Sequence, residues 1–353
     1  MSVALHTVAG PVVPLVEARA WRRQVMRERV GAAAVAALAG RAHCPPVESW
    51  RALRTLGDTV VLRVSTVDDG DLIVKVALSA SAGAGLDRHA QLLGHLAQLP
   101  AVGEVVPELM SVGSLGRHRY VVEHAVAGVS LTTPPGPETT AAVLRTSARV
   151  HEATAITTPD DMAGGMHTVL ATLDADLARL ARVCRTAGRQ HTIDRLAEAL
   201  AVALDGQQLV TATVHGDLWA GNVLVAGAPG DPSAIAIVDW ERAALRGLPE
   251  VDQTHYLLAA HPGGFAAGVQ AVLTASPTTV GAQLADIGVP TLNPQLDSRL
   301  CAVLAWLGHV GAGLDTTRRF GAGPLWVRSE VSTVLDLLRA HDHLLAGLAD
   351  CRA

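Results

Sequence analysis

The stretch from His215 to Leu224 reads His-Gly-Asp-Leu-Trp-Ala-Gly-Asn-Val-Leu, and it constrains this chain more than any other segment. It places an aspartate, Asp217, and an amide, Asn222, five positions apart on a loop that runs into an apolar strand. The run Gly227–Ser233 is turn-like, and the residues on either side, Asn222–Ala226 and Ala234–Trp240, have the composition of two short strands. Strands joined by a tight turn pair antiparallel. Asp239, in Ile-Val-Asp-Trp-Glu, therefore returns beside Asn222.

Phosphoryl transfer needs such a set. Its transition state leaves the protein little covalent work: it needs a placed hydroxyl, charge neutralisation by a metal and a lysine on the phosphates. Mg²⁺ takes few protein ligands and keeps water and phosphate oxygens for the rest. One aspartate for the hydroxyl, with an asparagine and a second aspartate for the metal, satisfies that chemistry.

One lysine stands out in the composition, either as a chance survivor or as a functional group. Lysine and arginine total 28, yet Lys75 is the single lysine. In a chain that otherwise uses arginine, a lone lysine marks a place where a compact ammonium serves and a wide planar fork does not. Lys75 lies in the last of three strand-like stretches, Trp50–Leu56, Thr59–Val67 and Asp71–Leu78, separated by Gly57-Asp58 and by Asp68-Asp69-Gly70. A helix is expected at Ala84–Leu99, then a strand pair at Val105–Val112 and Arg119–Val126. An earlier helix spans Glu17–Ala42. Beyond the loop Thr132–Pro137 the pattern turns helical, with Glu138–Glu152, Met166–Thr186 and His191–Asp205. A strand-rich first third followed by helices predicts an α+β fold in two lobes.

His215-Gly216-Asp217 with Asn222, followed by Val238-Asp239-Trp240-Glu241, resembles the active site of the aminoglycoside phosphotransferase and choline kinase family, which shares the protein-kinase fold. The resemblance implies a small β-rich N-lobe and a large, mostly helical C-lobe. It implies ATP and Mg²⁺ as cofactors, Asp217 as catalytic base, Asn222 and Asp239 as Mg²⁺ ligands, and His215 as a brace of the loop. Ile73-Val74-Lys75-Val76 is similar to the strand whose lysine grips the α- and β-phosphates. Tyr120 to Gly128 resembles the hinge, where the backbone of Glu123, His124 and Ala125 would meet the adenine. The hairpin containing Gly57 would cover the phosphates. Pro249-Glu250-Val251-Asp252 fits the segment after the metal aspartate, with Asp252 as a hydrogen-bond anchor or helix cap. The domain reading is an N-terminal helical extension at 1–46, an N-lobe at 47–127 and a C-lobe at 128–353.

Two departures stand out. The family pairs its lysine with a glutamate on the following helix. Here His89 falls at that position, with Asp87 beside it and Glu104 as a further carboxylate. The phosphate-covering hairpin has one glycine, Gly57. The expected activity is transfer of the γ-phosphoryl group of ATP to an alcohol of a small molecule: a sugar, an antibiotic or another natural product. The alternatives are a kinase of peptide Ser/Thr side chains and a nucleotide-binding pseudokinase. After Glu241, nine acids stand against eight arginines, which disfavours a polycation site. A formal net charge of -5 without like-charge runs gives no footprint for nucleic acid or a charged membrane. Cys44, Cys184, Cys301 and Cys351 show no metal spacing, the first residues make a poor signal peptide, and Val30–Gly40 is too short to span a bilayer. A cytoplasmic setting is expected.

Overall fold

The computed structural model describes residues 28–37, 46–53, 58–67, 70–131, 135–227, 234–320 and 324–350. The chain divides into two compact units, residues 1–90 with 109–125, and residues 91–108 with 126–353.

The first unit is built on a five-stranded antiparallel sheet, β1 (Val47–Leu53), β2 (Thr59–Thr66), β3 (Asp71–Ala77), β4 (Leu109–Leu115) and β5 (His118–His124), in the order β1-β2-β3-β5-β4. Strand periodicity decides which side each residue faces. Val60, Leu62, Val64, Leu72, Val74, Val76, Tyr120 and Val122 form one buried face, which is covered by Ala34 and Val35. Those two residues belong to helix α1, residues 28–37. The rest of the Glu17–Ala42 expectation lies outside the described residues. The opposite face carries Ala77 and Val121, packed against Leu86 and Ala90 of helix α2 (Ala80–Leu96). Directly paired residues share a face, so the pairs Ile73–Glu123 and Lys75–Val121 put Lys75 and Glu123 on this α2 side.

Several boundaries move from the sequence expectation, for local reasons. β1 begins earlier, at Val47. Helix α2 starts at Ala80 rather than Ala84, because Ser79 Oγ accepts the N–H of Ala82 at 3.3 Å and caps it. It ends at Leu96, where i to i+3 bonds from Gln98 and Leu99 replace the helical pattern. The apolar run around Val105 is a buried turn, not a strand. Val105 O accepts from Ile237 N at 2.9 Å, which ties residues 91–108 to the second unit.

That unit contains a three-stranded sheet, ordered β6-β8-β9, of β6 (Val129–Ser130), β8 (Val223–Val225) and β9 (Ile235–Ile237). A two-stranded sheet joins β7 (Ala212–Val214) to β10 (Ala244–Gly247). Helices α3 (Pro137–Ala153), α4 (Pro159–Val183) and α6 (Pro249–Ala259) each begin on a proline, whose missing N–H is no loss in a first turn. Next come α5 (Ala187–Leu204), α7 (Phe265–Thr274), α8 (Val280–Ala285), α9 (Ser298–Phe320), the short α10 (Pro324–Trp326), α11 (Thr333–Ala340) and α12 (Asp342–Ala349). Val327–Ser332 forms a π-helical segment between α10 and α11. α9 is the spine of the unit. Its residues Leu300–Leu307 are buried, and α4, α6 and α7 pack around it. Among the described residues, no helix is long and apolar enough to cross a membrane.

Candidate active site

The loop His215–Asn222 lies between β7 and β8 and is suspended from one buried carboxylate. Asp252 of α6 accepts the backbone N–H of His215 at 2.9 Å through Oδ2 and that of Gly216 at 3.0 Å through Oδ1. His151 of α3 donates from Nε2 to Asp252 Oδ2 at 3.3 Å. Burial by itself would raise the Asp252 pKa. The bond and positive potential from His151, with His215 and its N–H, outweigh that and hold it down to about 2. Asp252 is thus the hydrogen-bond anchor of the loop.

The loop's own side chains complete its geometry. His215 donates from Nε2 to Val238 O at 2.9 Å and accepts the Asp217 N–H at Nδ1 at 3.3 Å. Its ring packs at 4.8 Å, tilted, against that of Trp240. Asn222 donates from Nδ2 to Asp217 O at 2.9 Å. That bond fixes the amide orientation and leaves Oδ1 as the acceptor end. Gly216 holds φ +74°, and a Cβ there would collide with the Arg242 carbonyl oxygen. Gly216→Ala should therefore lower stability by about 2 kcal/mol and turnover by at least about tenfold. Thermal melts with initial rates on the same preparation check this; wild-type values in both would show that the loop tolerates the change.

Asp239 sits where the hairpin predicts. β8 and β9 pair with Val223 opposite Ile237, and Val238 N donates to Asn222 O at 2.9 Å. The backbone thereby brings Asn222 and Asp239 side by side. Asp239 is the one non-glycine among the described residues with positive φ, at 68°. Such a conformation is held by its surroundings and concentrates at functional positions. The donor set, an amide and a carboxylate oxygen, suits a hard cation. No group of three or more His, Cys, Asp or Glu able to hold a metal occurs among the described residues. A cation here would use Asn222, Asp239 and oxygens from outside the protein, as Mg²⁺ does with phosphates.

The Asp217 side chain is 26% exposed, and Arg242 approaches it at 3.5 Å. The sequence reading missed Arg242, which carries no motif of its own. Behind the loop, His255 donates from Nδ1 to Leu218 O at 2.9 Å. The His255 ring lies 4.8 Å from that of Phe265, which stacks on His309 at 4.2 Å, and Trp326 follows at 6.2 Å. Burial, then the neighbouring His255 and Arg242, push the His309 pKa down to about 3, and burial also lowers that of His255. These rings form a wall without positive charge at neutral pH.

In the first unit, Lys75 is 4% exposed. Its Nζ lies 3.5 Å from Glu123 Oε1, and His89 Nε2 lies 2.8 Å from Glu123 Oε2. The carboxylate beside Lys75 thus comes from β5. Asp87 pairs with Arg119 at 2.5 Å instead, and Glu104 is an exposed residue of the other unit. The sequence reading placed Glu123 among backbone contacts to adenine and missed its side chain. Of its neighbours, His124 ends β5, and Ala125 N donates to Asp71 O at 2.8 Å, which commits that donor to the sheet. Gly57 lies outside the described residues.

A kinase-like fold with this loop and hairpin defines a phosphotransferase. Residues 49–272 match the APH phosphotransferase enzyme family, and the chain belongs to it. Among solved structures, it is similar to macrolide 2'-phosphotransferase MphH from Brachybacterium faecium, with 18% identity and a TM-score of 0.53 over 85% of this chain and 97% of that one. It is also similar to aminoglycoside 2'-phosphotransferase-IIIa in a GDP complex, with 16% identity and a TM-score of 0.54 over 84% of this chain and 94% of that one. A thermostable mutant of APH(4)-Ia gives 14% identity and a TM-score of 0.52 over 82% and 95%. A search among curated proteins returns no match.

Proposed function

We propose that this phosphotransferase moves the γ-phosphoryl group of ATP to a hydroxyl of an uncharged small molecule, in the cytoplasm. The observation that carries the reading is the fixed backbone arrangement of Asp217, Asn222 and Asp239 within the family match. Asp217 orients the acceptor hydroxyl and receives its proton, and its exposed carboxylate is open to an incoming group. Asn222 Oδ1 and the Asp239 carboxylate would hold Mg²⁺, which neutralises phosphate charge when bound. Lys75 would contact the nucleotide phosphates.

An acceptor of the natural-product kind fits solved structures of similar fold, which include macrolide and aminoglycoside phosphotransferases. Its neutrality rests on the near balance of acids and arginines after Glu241. Behind Leu218 the buried rings of His255 and Phe265 back the loop, with His309 stacked on Phe265 and 4.0 Å from Glu330.

Mg-ATP titration calorimetry tests the nucleotide half of the reading. Asp239→Asn should weaken Mg-ATP binding by about tenfold or more, since a charged oxygen ligand becomes neutral. Because Lys75 is the only lysine, amine acylation at a side chain reports on it alone. Saturating Mg-ATP should protect Lys75 from acylation in the wild type. Unchanged affinity in the variant, or no protection, would sink the assignment. A turnover screen across macrolides, aminoglycosides and neutral sugars then identifies the acceptor.

A further inference from the structure

Lys75 and His89 converge on a single buried side chain. Glu123 is 3% exposed, and its two oxygens are divided between Lys75 Nζ at 3.5 Å and His89 Nε2 at 2.8 Å. Lys75 is 4% exposed and His89 is fully buried. An ionised carboxylate can only accept, so His89 carries its hydrogen on Nε2 and donates it. The register explains why these groups meet. Lys75 on β3 and Glu123 on β5 stand diagonally on one face of the sheet, and α2 packs on that face and brings His89 down onto it.

We propose that Glu123 is the positioning residue for Lys75, and that His89 holds its carboxylate in place, so that sheet and helix have exchanged roles. In this arrangement the carboxylate is part of the strand next to the lysine. The helix supplies a histidine N–H in place of a carboxylate. A carboxylate mounted on a helix can be withdrawn by moving the helix, whereas one mounted on β5 stays in register with β3 through five paired residues. The lysine is thereby oriented from within the sheet, and α2 contributes the His89 donor that steadies the carboxylate. Burial strengthens the effect, because the attraction between an ammonium and a carboxylate is less screened away from water.

The inference rests on Lys75 acting in the reaction, and the experiment separates the two claims. The full chain is assayed for Mg-ATP affinity by calorimetry, for slow transfer of phosphate from Mg-ATP to water, and for thermal stability. The variants are Lys75→Ala, Glu123→Gln, Glu123→Ala, and Glu123→Ala combined with His89→Glu. Lys75→Ala and Glu123→Gln are both expected to lower turnover by about tenfold or more, with a change in apparent KM for Mg-ATP under about threefold. The double variant returns a carboxylate to the helix and should recover most of the turnover lost in Glu123→Ala. A purely structural role for Glu123 would not be rescued in that way. Glu123→Gln within about twofold of wild type, alongside an impaired Lys75→Ala, overturns the inference alone. A folded double variant with no recovery also overturns it. If Lys75→Ala keeps wild-type turnover, the functional reading of Lys75 fails first. Should Glu123→Ala not fold, the near-isosteric Glu123→Gln still decides the matter.

Discussion

Replacing Asp217 by alanine is expected to lower phosphoryl transfer by roughly 10²–10⁴-fold, the range that a positioned general base contributes. Mg-ATP affinity and thermal stability should change little. The loop does not depend on this carboxylate for its shape. Its backbone hangs from Asp252, its amide is held by His215, and its carbonyl is held by Asn222. The carboxylate has one described ion-pair partner, Arg242 at 3.5 Å, and both side chains are more than a quarter exposed. Exposed pairs of that kind contribute only about 0–1 kcal/mol to stability. The measurement is turnover with a responsive acceptor, together with a nucleotide titration on the same preparation. Turnover within about tenfold of wild type would show that another group orients the hydroxyl.

Asp252→Asn should have the opposite profile, with stability and turnover falling together. The substituted amide would present one oxygen and one NH₂ to a site built from two backbone N–H donors and a histidine donor, so a donor would face a donor. Breaking a buried charged network of this kind costs about 3–5 kcal/mol. The loop that carries Asp217 would lose its register, and turnover should drop by at least about 10²-fold. The same carboxylate predicts an acid limit. Its folded pKa of about 2 lies below the ordinary value of 3.8, so its contribution to stability is present above about pH 4. That contribution is lost as pH falls toward 2, and it amounts to about 2 kcal/mol. Wild type should therefore lose stability between pH 4 and 2 more steeply than Asp252→Asn. Parallel curves for the two proteins would place the acid sensitivity elsewhere.

The His215–Asn222 loop was legible because its constraints are local. A spacing of five from Asp217 to Asn222, then a turn and a returning strand, place Asp239 next to Asn222 whatever surrounds them, since antiparallel pairing follows from chain connectivity. The conformation of Asp239 was not legible, because aspartate visits the left-handed region more than most residues but residue type alone does not select a φ of 68°. Element ends shifted for a similar reason. The apolar residues near Val105 are buried, as strand residues would be, but Ile237 takes the Val105 carbonyl and the run stays a turn.

By itself, the sequence determined the two-lobed class, the loop and hairpin proposed to carry the chemistry, and the strand that carries the single lysine. Each of these depends on residues close together in the chain, where spacing and side-chain type are enough. Only the tertiary structure decided which carboxylate stands beside Lys75. Asp87 and His89 are neighbours on one helix and looked equivalent as candidates, yet Asp87 turns to Arg119 while His89 turns inward to Glu123. Glu123 lies far along the chain from Lys75, and nothing local marks its side chain. The antiparallel register of β3 and β5 makes the two neighbours, and a register between distant strands is fixed by the packing of the whole sheet.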